Sequence, residues 1–192
     1  IYIVILPGTM LLDLAGTVET FRLATQVGQP YRIHFVGPVN SAECSIGLSL
    51  SGIHPLPDLI PDASTIIIPG AADSKSAYET AEAHQTAEWI AQTFKSSQRL
   101  CTVCSGVFLA AKSGVLRGKS CTTHHMLTQR LSQDYPELNV LDTRLFVQDG
   151  NVFTSAGATT GIDLAWQLIS AAAGPKLALK FARMLVIYFG AL

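Results

Sequence analysis

The feature that most constrains the fold is a series of short apolar runs, rich in β-branched residues, that recur along the chain. The runs are Ile1–Leu6, Tyr31–Val36, Thr65–Ile68 and Leu100–Val103. Continuous apolar runs of this length are typical of strands that are buried on both faces of a parallel sheet. Segments with helical patterns separate the runs, and this alternation predicts an α/β layer fold with right-handed crossovers.

Four helices are predicted between and after these strands. Asp73 is the expected N-cap of the second helix, because its short side chain can accept hydrogen bonds from the first helical amides. Gly114 suits the end of the third helix, where a residue in the left-handed conformation stops the helical pattern. The predicted helices span Leu14–Val27, Ser74–Lys95, Cys104–Ser113 and His125–Gln133.

Two segments predict antiparallel pairing outside this alternation. Arg144–Gln148 and Asn151–Ser155 flank Asp149-Gly150, and an Asp-Gly pair supplies the positive φ angles of a two-residue type I′ turn. A hairpin is therefore expected there. Ser41–Gly52 alternates more weakly and predicts a small antiparallel excursion from the main sheet.

The last part of the chain predicts two further helices. One begins at Thr159 or Thr160 and runs to about Ala173, and Gly174-Pro175 separates it from a last helix over Lys176–Tyr188. No repeat and no linker interrupts the pattern, so residues 1–192 are interpreted as a single domain.

Composition excludes several classes of protein. The 192 residues carry a formal charge of −1, only 14% are charged, and mean hydropathy is +0.34. A disordered chain needs low hydrophobicity and a high net charge, so this class is excluded. A chain without a block of basic residues is not expected to bind nucleic acid by itself. No run reaches the roughly 18 apolar residues of a membrane span. Four cysteines are too few for a disulfide scaffold and favour the cytoplasm.

Both ends of the chain look cut. It opens without Met on a strand pattern, and it closes on the apolar residues Tyr188–Leu192 without a polar tail. We therefore expect a fragment of a longer protein. An apolar end of this kind is poorly soluble alone, so we expect it to be covered in a homodimer.

The sharpest chemical signal is a strand that runs into a helix through Cys104, Ser105 and Gly106. This pattern predicts a nucleophile elbow, a tight turn that raises one side chain at the carboxyl edge of the sheet. Small residues after the nucleophile allow the helix to approach the strand. The amino end of the helix would favour a thiolate at Cys104 and lower its pKa. The alternative is that Cys104 is a small buried apolar residue, as free cysteines often are.

Cys101 and Cys104 also form a C-x-x-C pair, which raises redox and metal alternatives. If Cys101 lies in a strand, the two Cα atoms are about 10 Å apart. A disulfide needs less than about 7 Å. Zinc would need a second ligand pair, and His124 and His125 are adjacent rather than spaced for it. We therefore expect no metal, and we expect Cys101 to pack in the core.

Three further segments are expected to end at the same edge of the sheet. A short strand over Lys119–Thr123 leads to His124, which could pair with the thiol, although a surface histidine is the commoner case. Asp13 follows the first strand and could bond the thiol or a ligand, or could simply cap the first helix. The amides of Gly70 and Ala71 follow the third strand and could hold an anion.

Four motifs, spread over essentially the whole chain, together resemble those of the ThiJ/PfpI superfamily. Within that superfamily, the chain looks most like the N-terminal sensing domain of AraC-type transcriptional regulators. The motifs are Pro69-Gly70, Cys104-Ser105-Gly106, Thr122–His124, and Thr154–Gly157 with Gly161–Asp163. The resemblance implies a three-layer sandwich with a mostly parallel central sheet, similar to flavodoxins and class I glutamine amidotransferases.

The resemblance also implies a set of site residues. Cys104 matches the elbow cysteine, Asp13 the acidic residue facing it, and His124 the neighbouring histidine. Gly70 and Ala71 match an oxyanion-type turn, although enzymes of the family commonly have a second glycine where Ala71 stands. Ser105 and His125 are the remaining expected ligand contacts, and His125 stands where an aromatic residue is frequent.

The function implied by the resemblance is sensing of a small-molecule effector by a homodimeric regulator. No cofactor is implied, and DNA would be bound by a helix-turn-helix domain that these residues do not contain. The alternative is a cysteine enzyme of the isonitrile hydratase type, in which Cys104 adds to an electrophilic carbon and Asp13 moves the proton.

Overall fold

A computed structural model describes residues 1–26, 28–157 and 159–173 of the chain. Its centre is a seven-stranded sheet with the strand order β10-β11-β7-β6-β1-β2-β5. Neighbouring strands run parallel except β10 and β11, which form an antiparallel pair at one edge. The strands of this sheet are β1 (Tyr2–Val4), β2 (His34–Gly37), β5 (His54–Pro55), β6 (Thr65–Ile68), β7 (Arg99–Val103), β10 (Phe146–Asp149) and β11 (Val152–Ser155).

Helices cover both faces of the sheet. On one face lie α1 (Leu11–Gln26) and α5 (Thr159–Ala173), and on the other lie α2 (Ala81–Thr93), α3 (Val107–Lys112) and α4 (Thr128–Asp134). Strand β6 shows why its apolar run is continuous. Ile66 and Ile68 pack into the core under α2 and α3, whereas Ile67 packs under α1 and α5. The α/β layer fold predicted from the runs is confirmed, as is the three-layer arrangement that the resemblance implies.

Two small sheets lie outside the central one. The pair β3 (Ser41–Glu43) and β4 (Ser49–Ser51) is antiparallel, as expected for Ser41–Gly52. The pair β8 (Ser120–Cys121) and β9 (Asn139–Val140) is parallel. The predicted strand before His124 is therefore β8, but it pairs with β9 rather than joining the central sheet.

The second helix differs most from its prediction. It begins at Ala81, after the N-cap Thr80, whose hydroxyl accepts from the amide of Ala83 at 3.2 Å. The side chain of Asp73 instead accepts hydrogen bonds from Lys75 N at 3.1 Å and from Ser76 Oγ at 2.7 Å. Asp73 thereby closes a local turn that competes with the helix, so its assignment as the N-cap was wrong.

The predicted hairpin forms, but its turn is shifted by one residue. Asp149 pairs with Val152, so Gly150 and Asn151 make the two-residue loop. Gly150 has φ +62, whereas Asn151 is not in the positive-φ region. A type I′ turn needs positive φ at both central residues, so the prediction of that turn type was wrong, and glycine at the first position suits type II′.

Helices α1 and α5 approach each other through two glycines. A Cβ on Gly16 would lie 3.0 Å from Ile162, and a Cβ on Gly161 would lie 2.8 Å from Thr17 Oγ1 and 3.1 Å from Val103. A side chain at position 161 would collide with Thr17, and one at position 16 would require the Ile162 side chain to shift. Helix α5 matches its predicted bounds, while the predicted last helix over 176–188 lies outside the described residues. None of the helices in the described ranges has the length and apolarity to span a membrane.

Candidate functional site

The turn after β7 has the geometry of a nucleophile elbow. Cys104 has φ +54, a conformation that is uncommon for a residue with a side chain and typical of strained functional turns. A short 3₁₀ turn over Cys104–Gly106 follows, and α3 begins at Val107. A Cβ on Gly106 would collide with the backbone carbonyl of Ile68. Glycine at 106 therefore allows the elbow to rest on strand β6.

Two hydroxyl groups hold the elbow from opposite sides. Thr123, which follows β8, donates from Oγ1 to the carbonyl oxygen of Cys104 at 2.8 Å. On the other side, Ser105 Oγ accepts from the amide of Ala71 at 2.9 Å and lies 3.1 Å from the phenol oxygen of Tyr78. Because Thr123, Ser105 and Tyr78 are all buried, these bonds are shielded from water.

Asp13 faces the elbow from the first turn of α1. Its Oδ2 accepts from the amide of Gly70 at 3.1 Å, and the residue is 1% exposed. A Cβ on Gly70 would lie 2.7 Å from that carboxylate oxygen and 3.0 Å from Cβ of Cys104. Gly70, Asp13 and Cys104 are therefore packed closely together, and a side chain at position 70 would have to displace the carboxylate or the cysteine.

The loop between β11 and α5 borders the thiol from another side. A Cβ on Gly157 would lie 3.2 Å from Sγ of Cys104 and 3.5 Å from Cδ2 of His124. Gly157 has φ +134, and its amide donates to Oγ1 of Thr160 at 2.8 Å at the start of α5. His124 thus lies at the rim of the site, even though β8 is not part of the central sheet.

The two histidines have different surroundings. The Nδ1 atom of His124 accepts from the amide of Met126 at 3.4 Å, and its ring lies 4.3 Å from that of His125. His124 is half-buried, whereas His125 is exposed. Its hydrogen bond to the backbone gives His124 a local role as N-cap of the turn over His125–Leu127.

The electrostatics of Cys104 contradict the expectation of a stable thiolate. Burial, together with the nearby Asp13 carboxylate, raises the pKa of the Cys104 thiol to about 11, although the hydrogen bond from the Ser105 amide acts to lower it. The hydrogen bond from the Ser105 amide is too weak to offset burial and the Asp13 carboxylate. The prediction of a lowered pKa was therefore wrong.

The expected anion-binding turn is already occupied by the protein's own acceptors. The amide of Gly70 donates to Asp13, and the amide of Ala71 donates to Ser105. An incoming oxyanion would have to displace one of these acceptors. Ser105 itself is 1% exposed, so its hydroxyl is not accessible from solvent.

The structure thus brings most of the predicted residues together. Asp13, Gly70, Ala71, Cys104 and Ser105 form one cluster, with His124 at its rim and His125 facing outward. Sequence reasoning gave no role to three other contributors, namely Tyr78, Thr123 and Gly157. The last two lie inside motifs that were recognised, but no local pattern marked Tyr78.

The other cysteines do not join this site. Cys101 has no exposed surface and packs under α1 and α5, as predicted, and burial raises the pKa of its thiol. Within the part of the chain that the structure describes, no three His, Cys, Asp or Glu side chains are arranged to hold a metal ion.

Comparisons with known proteins agree with this geometry. The chain is 28% identical over 193 residues to the HTH-type transcriptional regulator CdhR of Pseudomonas aeruginosa, covering 97% of this chain and 54% of that protein. It is 30% identical over 167 residues to the isonitrile hydratase of Pseudomonas putida, covering 84% of this chain and 67% of that enzyme. It therefore spans about half the length of the regulator.

Solved structures show the same fold. An AraC family transcriptional regulator from Pseudomonas putida superimposes with a TM-score of 0.77 at 15% identity, covering 96% of this chain and 97% of that one. A model of the DJ-1/PfpI family, the family that the motifs indicated under the name ThiJ/PfpI, matches residues 1–171. On the combined evidence of elbow, sheet order and sequence match, the chain belongs to the DJ-1/PfpI family.

Proposed function

We propose that this chain is the effector-sensing domain of an AraC-type transcriptional regulator. The observation that carries the proposal is its match to a helix-turn-helix regulator along 97% of this chain but only 54% of that protein. DNA would be bound by a further domain, because the described surface lacks a basic block and the whole chain has a formal charge of −1. The domain would act in the cytoplasm.

The effector site in this proposal is the cluster of Asp13, Gly70, Cys104 and Gly157, with His124 at its rim. The strands of the central sheet end there, and open α/β sheets bind ligands at that edge. An effector regulates only if it binds two states of the protein with different affinity. Asp13 on α1 and Gly157 before α5 both belong to the cluster, so a ligand there would touch the ends of two long helices.

Catalysis is not part of the proposal, because the site is poorly prepared for it. Burial and the Asp13 carboxylate raise the pKa of the thiol to about 11, which disfavours the reactive thiolate. The amides that would stabilise developing negative charge donate to Asp13 and Ser105.

The test uses the intact regulator that contains this chain, with a transcriptional reporter of its own promoter. We expect Cys104→Ala and Asp13→Asn to abolish or strongly shift the response to the inducing growth condition. Glu19→Gln is the matched control, because Glu19 is an exposed carboxylate on the same helix. A reading frame that ends near Leu192, or an unchanged response in both site variants, would contradict the proposal.

The 30% identity to an isonitrile hydratase favours one alternative, a cysteine-dependent hydratase. In that reaction the Cys104 thiol adds to the isonitrile carbon and Asp13 moves the proton. Purified protein and its Cys104→Ser variant would be compared for turnover of cyclohexyl isonitrile, with the formamide measured by chromatography. Turnover that disappears in the variant would establish the enzyme, and equal rates in both would exclude it.

Homodimer formation is a further part of the proposal. Apolar side chains are exposed at Leu12, Ile46 and Leu48, where α1 begins and where the β3–β4 turn lies against it. A dimer is also what a regulator needs to bind two half-sites of an operator. Light scattering at micromolar concentration should give twice the chain mass, and a monomeric mass would contradict this expectation.

A further inference from the structure

We propose that a cavity at the amino edge of the central sheet binds a small organic oxyanion, a carboxylate or a phosphate ester with an apolar body. Arg99 and Arg32 hold the oxyanion, and the apolar body lies against α1 and α5. This site is separate from the effector site of the proposed function and does not depend on it.

The cavity lies where the strands of the sheet begin. Its volume is about 490 Å³, within the range of roughly 300 to 1,000 Å³ that is usual for small-molecule sites. Four strands, β1, β2, β6 and β7, start at its wall, and side chains from α1 and α5 complete it. Parallel strands begin at the edge opposite to the one at which they end. The cavity and the elbow therefore lie at opposite edges of the sheet.

Two arginines on the cavity wall have no partner for their charge. Arg32 precedes β2, Arg99 begins β7, and both residues are exposed. Within the part of the chain that the structure describes, neither guanidinium has a hydrogen bond or an ion pair. An arginine keeps its charge and presents its N–H donors in a planar fork that fits carboxylates and phosphates. Two such forks on one wall favour an oxyanion.

Backbone contacts fix the positions from which the two arginines extend. Arg99 pairs with Thr65 of β6, and its amide donates to the carbonyl oxygen of Ser64 at 2.9 Å. The carbonyl oxygen of Arg32 accepts from the nitrogen of Ile1 at 2.7 Å. Because β6 and β1 separate β7 from β2, the two backbones stand about 14 Å apart. A ligand below β6 and β1 can therefore meet one arginine from each side.

Another wall of the cavity is apolar. The buried ring of Phe21 meets that of Tyr31 edge to face, with the ring centroids 5.1 Å apart, and Leu168 of α5 extends this wall. Burial raises the pKa of the Tyr31 phenol, whereas a hydrogen bond with Gln29 and the charge of Arg99 lower it. The charge of Arg99 thus reaches the apolar wall, and one small ligand can contact both.

One acidic residue also borders the cavity, but its carboxylate is engaged outside it. Asp62 accepts through Oδ1 from the hydroxyl group of Ser97, and Ser97 lines a neighbouring cleft. Arg99 lines both spaces. Two arginines against one aspartate leave the side chains of the cavity wall with a net positive charge. This balance attracts an anion and disfavours a cationic ligand.

The test titrates the isotope-labelled chain with three probes and follows its amide resonances by nuclear magnetic resonance. The probes are phenyl phosphate, phenylacetate and 2-phenylethanol, which combine a benzene ring with a phosphate, a carboxylate or a hydroxyl group. Resonances of Tyr31, Arg32 and Arg99 report on the cavity, and those of Cys104 and Gly157 report on the elbow. Ionic strength is held constant, because salt screens exposed charges.

We expect saturable shifts at the cavity, with a dissociation constant of about 1 mM for the tighter anion. The tighter of the two anions identifies the oxyanion that the site prefers. Binding of 2-phenylethanol should be at least about tenfold weaker, because it cannot form charge-assisted hydrogen bonds with the arginines.

Substitutions of the arginines test which side chains hold the anion. Arg99→Gln and Arg32→Gln should each weaken binding of the preferred anion by about tenfold, because each removes a charged fork. Arg99→Lys keeps the charge without the fork and should recover part of the affinity. Arg117→Gln is the matched control, because Arg117 is exposed and does not line the cavity, and it should leave the affinity unchanged. All four variants replace exposed side chains, so the melting temperature should change little.

Three results would overturn the inference. They are the absence of saturable shifts at the cavity with millimolar concentrations of either anion, equally tight binding of 2-phenylethanol, and an affinity that neither Arg99→Gln nor Arg32→Gln changes. Shifts confined to Cys104 and Gly157 would count as the first of these. None of the three bears on the response of the regulator to its effector, so the proposed function would still stand.

Discussion

Strand β7 and the elbow that follows it each hold a cysteine, and the two differ in nearly every physical property. Cys101 lies inside the strand, has no exposed surface and packs among apolar side chains under α1 and α5. Cys104 lies just past the strand, has φ +54, is partly exposed and is bordered by a buried carboxylate. Backbone conformation, not residue type, therefore decides which thiol borders a site.

The largest effect is expected from breaking the elbow's backbone. Gly106→Ala would place a methyl group against the carbonyl of Ile68, and the free energy of unfolding should fall by about 3 kcal/mol or more. Urea denaturation followed by circular dichroism measures it. Gly47→Ala is the control, because Gly47 also has a positive φ but has open space around it. That variant should lose about 1 kcal/mol, and equal losses would contradict the packing argument.

Replacing each thiol by a hydroxyl group compares the two cysteines directly. Cys101→Ser buries a polar group in an apolar core and should cost about 2 kcal/mol of unfolding free energy. Cys104→Ser should cost less than about 0.5 kcal/mol, because the site is polar and partly open. Both values come from the same denaturation experiment. Similar losses in the two variants would remove the distinction between core and site.

A smaller effect concerns the acidity of Cys104. Only the thiolate reacts with iodoacetamide, and the pKa of this thiol is raised to about 11. The labelling rate should therefore rise about tenfold per pH unit between pH 7 and 10 without a plateau. Asp13→Asn removes a charge that raises the pKa, so it should increase the rate at pH 8. A plateau below pH 9 in the parent protein would contradict the raised pKa.

The sequence was sufficient for the layers of the fold because burial on both faces of a sheet leaves a direct mark. Ile66, Ile67 and Ile68 must all be apolar, since successive side chains enter opposite cores. Helix starts were less predictable, because Asp73 can close a turn as readily as cap a helix, and only the tertiary packing decides.

The candidate site was predictable in position but not in chemistry. The carboxyl ends of parallel strands meet at one edge, so Asp13, Gly70 and Cys104 were expected together there. Which side chains accept from the amides of Gly70 and Ala71 depends on the directions of side chains that are distant in the sequence. The same is true of the contact between Tyr78 and Ser105. The pKa of the Cys104 thiol depends on how deeply the thiol is buried and on its distance from Asp13, and neither quantity appears in local sequence patterns.

The glycine contacts between α1 and α5 have a mechanical consequence. Gly16 packs against the side chain of Ile162, and Gly161 packs against that of Thr17. A displacement of one helix would therefore have to move the other helix or repack these side chains. Both helices start beside the elbow at Cys104. Helix α5 then extends about 22 Å toward the opposite edge of the sheet, where Leu168 and Ala172 lie near Tyr31. A shift of α5 at the elbow would therefore be felt about four helical turns away, at Ala173.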